Sequence, residues 1–405
     1  MDHPEGVINF FDRLQRWGLL VGGGGVLLAL LGLLLDRPQF FQSYLFAYLF
    51  WLGITLGALA LLMVYHLTGG RWGFMLRRIL ETAALLSILM ALLIIPLFFG
   101  LRDLYLWARP EVVAADAILQ HKRPYLNIPF FIARNILYFL FWGGAAFLLA
   151  RWSWAQDRTE EHAFELAERM RYFSGPAFAF YGLTVTFAMM DWLMSLEPYW
   201  FSTIFGAMIA SAQVLTGLAF ATIAFLLLAR RDPRLENVSG EHIDDLGKLL
   251  LAFALFWVYM TFIQYLIIWA GNLPEEVVWY LRRLRQGWQW VAVLVLLLHY
   301  IVPFAALLAG QVRKQPRSLL TVAATLFGID LIYCWWLVAP VFHPVFHVHW
   351  LDLVLPCAVG GLWLAAFAWQ VRRHPLLPQH DPVWDEIASR ETLLHEALAG
   401  GNAHE

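Results

Sequence analysis

The sequence predicts an all-α integral membrane protein of about ten transmembrane helices. Three observations lead there. Of 405 residues, 60% are hydrophobic and only 14% charged, against roughly a quarter charged in soluble domains. Mean hydropathy is +0.62, more apolar surface than a water-soluble fold can hide. Apolar runs long enough to cross a bilayer recur along the whole chain.

The expected spans are Trp17–Leu35, Tyr44–His66, Ile79–Gly100, Ile128–Ala150, Pro176–Leu196, Thr203–Ala229, Leu249–Trp269, Trp288–Leu308, Leu319–Ala339 and Trp350–Val371, each 19 to 27 residues long. Helix is required because lipid offers the backbone no hydrogen bonds, and the short alternating pattern of a membrane barrel is missing. The eight inner spans can form two four-helix sets, with the first and last flanking them. The domain plan is an amphipathic N-terminal segment (1–16), a transmembrane domain (17–371) and a tail with a short amphipathic helix (372–405). Val7, Phe10, Phe11 and Leu14 give the first segment its apolar face; Val383, Ile387, Leu394 and Leu398 give the tail its own.

Orientation follows from Lys and Arg. The ends and loops on the N-terminal side hold 19 of the 28 positive residues, the opposite loops hold 8, and Arg134 lies inside a span. Both termini are therefore expected in the cytoplasm. The opening Met1-Asp2-His3-Pro4-Glu5 has no basic region, so no cleavable signal peptide is expected. The longest loop, Leu101–Asn127, falls on the periplasmic side and is expected to pack on the bundle mouth or a partner. Asp157–Arg171 reads as a cytoplasmic helix capped by Asp157, with Glu160 three residues on.

Composition excludes several functions. A net charge of −2 gives no footprint for nucleic acid. Cys334 and Cys357 stand apart, so cysteine-ligated clusters and c-type haem lack ligands. Only His299 lies deep in a span, which leaves bis-histidine haem without a second ligand.

Intramembrane ionisable groups are the informative residues, because each costs roughly 3 kcal/mol to insert at the bilayer centre. Asp330 and His299 fall at the middle of consecutive spans and are expected to touch. Such a pair either relays protons or contacts a quinone head group, or it simply orders the bundle. Asp191 lies in the periplasmic third of the fifth span, with Arg134 and Gln264 at similar depth and Glu197 two turns on. These four form either a polar pocket or a structural ion pair with neighbours. Glu81 sits one turn from Arg77 and Arg78; with His66 it marks either a proton entrance or an interface charge. The candidate proton pathway is thus Glu81, Asp191, His299 and Asp330. His343, His347 and His349 form an interfacial loop without a committed metal ligand set. Gly22–Gly25 permits a close helix approach or a bend.

Four stretches resemble one family: Tyr65-His66-Leu67-Thr68-Gly69-Gly70-Arg71-Trp72-Gly73, Arg123-Pro124-Tyr125-Leu126-Asn127-Ile128-Pro129-Phe130-Phe131, Tyr181 to Pro198, and His347-Val348-His349-Trp350-Leu351-Asp352. They are similar to the F subunits of Alternative Complex III, the smaller NrfD/PsrC-like integral subunits of a bacterial quinol:cytochrome c (or other soluble carrier) oxidoreductase. The resemblance implies ten helices with two central four-helix bundles. It implies a larger NrfD-like membrane subunit, an iron–sulfur subunit, multihaem cytochrome c subunits, other membrane subunits and lipids as partners. Haem and iron–sulfur would sit in those partners, quinone contact and proton conduction are possible roles here, and the address is the bacterial inner membrane. No catalytic motif transfers residue by residue. The rival expectation is a stand-alone secondary transporter, for which Pro303 and Pro356 are the span-breaking candidates but no internal repeat is visible.

Overall fold

The computed structural model describes residues 4–232 and 240–381. It is all-helical, with no strand among the described residues. Ten helices are long and apolar enough to cross a membrane: α1 (Glu5–Leu35), α2 (Arg37–Thr68), α3 (Arg71–Phe99), α4 (Ile128–Gln156), α5 (Ala163–Leu196), α6 (Phe205–Ala229), α7 (His242–Gly271), α8 (Trp288–Leu308), α9 (Pro316–Phe342) and α10 (Leu351–Val371). The ten expected spans are these ten helices.

Several boundaries move outward for local reasons. The amphipathic segment expected before the first span is continuous with it, and Val7 and Phe11 bury its apolar face. Helix α2 starts at Arg37 because the Asp36 carboxylate accepts from Gln39 N at 3.1 Å and Pro38 sits in the first turn. The expected helix over Asp157–Arg171 does not form as a separate element. Residues 157–162 are a turn, and from Ala163 the chain belongs to α5, whose N-cap is His162. Asp157 instead joins an ion-pair network. The long loop over 101–127 folds into short helical pieces on the mouth of the bundle. Tyr105 Oη donates to Trp192 O at 3.0 Å, and Trp107 Nε1 to Ser195 Oγ at 3.1 Å. The apolar tail positions Val383, Ile387, Leu394 and Leu398 lie outside the described residues.

Contacts close two rings of helices, α2–α3–α4–α5 and α6–α7–α8–α9, which meet where α2 packs on α6 and α9. Helices α1 and α10 form an antiparallel pair beside α2. Its most apolar stretch is entirely buried, which suits a helix hydrophobic on every face. The corresponding stretches of α1, α7 and α8 are mostly exposed and form the outer, lipid-compatible surface.

Small residues set the tightest packing. Gly18, Gly22 and Gly25 lie against Gly361, Leu362 and Ala358, so two of the four glycines expected to permit close approach or bending, Gly22 and Gly25, serve the α1–α10 contact together with Gly18. Gly57 is tighter still: a Cβ there would stand 2.0 Å from the Gln213 carbonyl oxygen of α6. Because that obstacle is backbone, Gly57→Ala is expected to cost about 1–3 kcal/mol by overpacking. Gly144 faces open space and Gly144→Ala should stay within about 1 kcal/mol of wild type. Thermal unfolding of both variants in detergent checks this; equal midpoints would show that α2 and α6 can separate freely.

Candidate functional site

Among the described charged and polar groups, three closed networks and one open site bear on the expected site residues. The first closed network joins α4 and α5. Arg134 Nε and Nη2 donate to both oxygens of Asp191 at 2.9 and 2.7 Å, a bidentate fork. Tyr138 Oη adds a third bond to Asp191 at 2.9 Å, and Arg134 Nη1 reaches Tyr125 O at 3.0 Å. The Tyr125 ring stacks on the guanidinium 3.9 Å away. Trp192 Nε1 donates to Asn135 Oδ1 at 2.9 Å, locking the next turn. The expected pairing of Arg134 with Asp191 is present.

The wider polar pocket splits apart. Glu197 turns to Arg282 and Arg283, at 2.8 and 2.7 Å, on the short helix Pro274–Arg283. Arg283 is buried, also donates to the Trp279 and Leu337 carbonyls, and stacks on Trp279 at 3.9 Å. Gln264 accepts from Ser202 Oγ at 2.6 Å. Asp191, Glu197 and Gln264 therefore share no partner: depth is one coordinate, and the helices rotate the side chains to different neighbours.

The second closed network lies at the end of the bundle that carries both described termini. Glu81 is buried there and pairs with the near neighbours expected for it. Its two oxygens accept from Arg77 Nε at 2.9 Å and Arg78 Nη1 at 2.7 Å. Arg77 continues to Asp381 Oδ2 at 2.6 Å and to Ser153 Oγ and Gln156 Oε1, each at 2.8 Å. Arg78 also pairs with Asp157. Asp381 takes a further bond from Tyr65 Oη at 2.8 Å, and Gln379 N donates to Asp157 at 2.9 Å. Residues 372–381 thus strap this network down. A cavity of about 350 Å³ lies beside it, lined by Tyr65, His66, Arg77, Met170 and Asp381. His66, expected with Glu81 at an entrance, is in that wall.

The third closed network ties the histidine loop to α2. His343 Nε2 meets Gln39 Oε1 at 2.9 Å, and Asp352 accepts from Ser43 Oγ at 2.5 Å and His349 N at 3.0 Å.

The open site is the one on α8 and α9. His299 and Asp330 are both buried, and His299 Nε2 stands 3.9 Å from Asp330 Oδ1. That is too long for a hydrogen bond. Neither ring nitrogen of His299, nor Asp330 Oδ1, has a hydrogen-bond partner. The Trp257 ring covers the imidazole with centroids 4.1 Å apart, and Tyr333 lies 5.9 Å away. Around His299 the backbone of α8 widens into a π-helical stretch, Leu296–Ile301, just before Pro303, which has no N–H to donate back into the helix. Such stretches recur at functional sites. The expected contact between consecutive helices is there, but as an approach rather than a closed pair.

Sequence reasoning missed Asp381, Arg282, Arg283, Gln213 and Tyr333. Arg282–Arg283 carried a signal, since a pair of arginines in a loop on the less positive side needs acidic partners. No family model matches the chain, and a search of curated proteins returns no match.

Two outcomes follow. Asp191→Ala leaves Arg134 buried without its carboxylate and should cost about 3–5 kcal/mol, whereas Arg134→Leu with Asp191→Leu should recover most of that. Unfolding midpoints decide it; a double variant as unstable as the single one removes the ion-pair account. The strap supplies a pH test. His374 stacks flat on Trp154, with ring centroids 4.0 Å apart. Burial, then the Arg78 charge, pushes its imidazole down to about 4. Burial pushes the neighbouring Asp157 carboxyl the other way, up. A depressed histidine stabilises the fold above its ordinary value near 6.5, and that contribution is lost as pH falls toward 4. Trp154 fluorescence of the folded protein should therefore change around pH 4, where the stacked imidazole takes up its proton, and His374→Phe should abolish the change. An unaltered profile in His374→Phe assigns the titration elsewhere.

Proposed function

We propose that this chain is a proton-handling, cofactor-free membrane subunit of a quinol-oxidising electron-transport complex of the kind its sequence resembles. The observation that supports it is the open His299–Asp330 site. A pair kept only for structure closes, as Arg134–Asp191 does, because unmade hydrogen bonds in an apolar interior cost about 1–3 kcal/mol each. His299 and Asp330 stand close with accepting and donating atoms free. Groups that exchange protons need that freedom, because a proton must arrive on one side of a carboxylate or imidazole and leave on the other.

The remaining expectations join this reading as proposals. Both termini face the cytoplasm, following the Lys and Arg distribution. The Glu81 network with its adjoining cavity is the cytoplasmic approach, and Asp191 lies toward the periplasmic face, in the bacterial inner membrane. The rings α2–α5 and α6–α9 correspond to the two four-helix bundles that the resemblance implies. Two isolated cysteines and one deep histidine are too few ligands for a bis-histidine haem, a c-type haem or a cysteine-ligated cluster of this chain's own. Electrons pass through partners: a larger NrfD-like subunit, an iron–sulfur subunit and multihaem cytochromes. Quinone contact belongs to the same proposal, with lipid around the exposed helices.

Asp330→Asn tests the role. It keeps shape and removes the titrating proton, so proton-coupled quinol turnover of the assembled complex should fall at least tenfold with assembly unchanged. Normal turnover and proton release would take Asp330 out of the relay. Purification under mild detergent separates the rival: a stand-alone transporter emerges without haem-bearing partners.

A further inference from the structure

A small cavity of about 20 Å³ lies between α2, α5, α6 and α9. A single water needs about 10–15 Å³ of such space and two to four polar partners. The wall is apolar except for Gln213, Asp330, Tyr333 and the Cys334 thiol. Of these, Gln213 Oε1, Asp330 Oδ1 and Tyr333 Oη are buried and have no hydrogen-bond partner. We infer that this cavity is a binding site for one water molecule shared by those three atoms.

The donor and acceptor count favours it. Tyr333 has a hydroxyl proton to give, whereas Gln213 Oε1 and an ionised Asp330 Oδ1 both need one. A water accepts from Tyr333 and donates to the other two, so all three are satisfied at once. Left dry, the same atoms would each stay desolvated without a partner, which an apolar interior penalises. The amide is held the right way round, because Gln213 Nε2 points at Met189 Sδ 3.6 Å away and leaves Oε1 for the cavity. Gly53 keeps the space available: a Cβ there would stand 3.2 Å from Gln213 Cγ. Gln213 is thus a positioning residue for the water.

The inference deepens the proton reading of Asp330, since the water links that carboxylate to α6, whose Gln213 lies beside Met189, two residues from Asp191 on α5. The site itself stands on packing and can be tested without turnover. A density map of the purified protein that resolves ordered solvent should show one peak within hydrogen-bond distance of Gln213, Asp330 and Tyr333. Gln213→Met, close in size but without the acceptor, should lose that peak with its neighbours in place. In infrared difference spectra, exchange into ¹⁸O-labelled water should shift one sharp O–H band in wild type and none in Gln213→Met. An empty wild-type cavity, a Gln213 amide bonded directly to Asp330, or an isotope-sensitive band that survives in Gln213→Met overturns the site. A dry cavity with Asp330→Asn inactive sinks the water alone; a filled one with Asp330→Asn fully active sinks the proton role alone.

Discussion

A guanidinium enclosed by apolar helices has to be neutralised inside the bundle, and that requirement organises both ends of this molecule. Arg77 and Arg78 are nearly inaccessible, and between them they gather Glu81, Asp157 and Asp381. Those acids come from α3 itself, from the turn after α4 and from the strap after α10. Neutralising two adjacent cations therefore brings the last described residues back against the third helix. Arg283 does the same at the opposite end through Glu197, which anchors the short helix Pro274–Arg283 to the end of α5. Removing one partner of such a pair strands a buried charge, which costs more than the pair itself contributes.

Against these ion-paired networks the His299–Asp330 site is an exception with a local cause. The π-helical stretch ahead of Pro303 alters the angle at which α8 presents His299, and Trp257 fills the space over the ring. The imidazole then stands 3.9 Å from Asp330, too far to bond it. Packing that holds the two groups apart leaves their buried polar atoms without a partner in each other.

Much of this was legible in the sequence because hydropathy reports depth. All ten helices follow from it, and depth also brought Arg134 to Asp191 and His299 to Asp330, whose helices are neighbours. It failed where azimuth decides. Gln264 shares a level with Asp191 but faces another helix, and Glu197, two turns on, pairs with Arg282 and Arg283, so the single pocket expected there is three separate contacts. The partnership of Arg77 with Asp381 spans 304 residues and runs through a segment with no apolar signal of its own. Arg77 and Arg78, one turn away, were legible as neighbours of Glu81; its burial was not, because a window average cannot see the strap packed on that network. Gln213 and Tyr333 carry no formal charge and drew no notice, although their unpartnered atoms mark the cavity.

The position of α2 connects these features. A helix apolar on all sides settles in the centre, and Gly53 and Gly57 let α6 lie almost against its backbone. The same close approach has two consequences. At Gly57 it leaves no room for any side chain, which fixes the register of α6 on α2. At Gly53, one turn away, the space is occupied by the stem of Gln213, whose amide tip reaches the cavity beside Asp330. The register that glycine imposes between two apolar helices therefore sets where a polar group stands relative to a carboxylate on α9. Stability and chemistry are coupled at that contact, so a substitution that lets α6 slide on α2 would disturb Asp330's surroundings without touching Asp330.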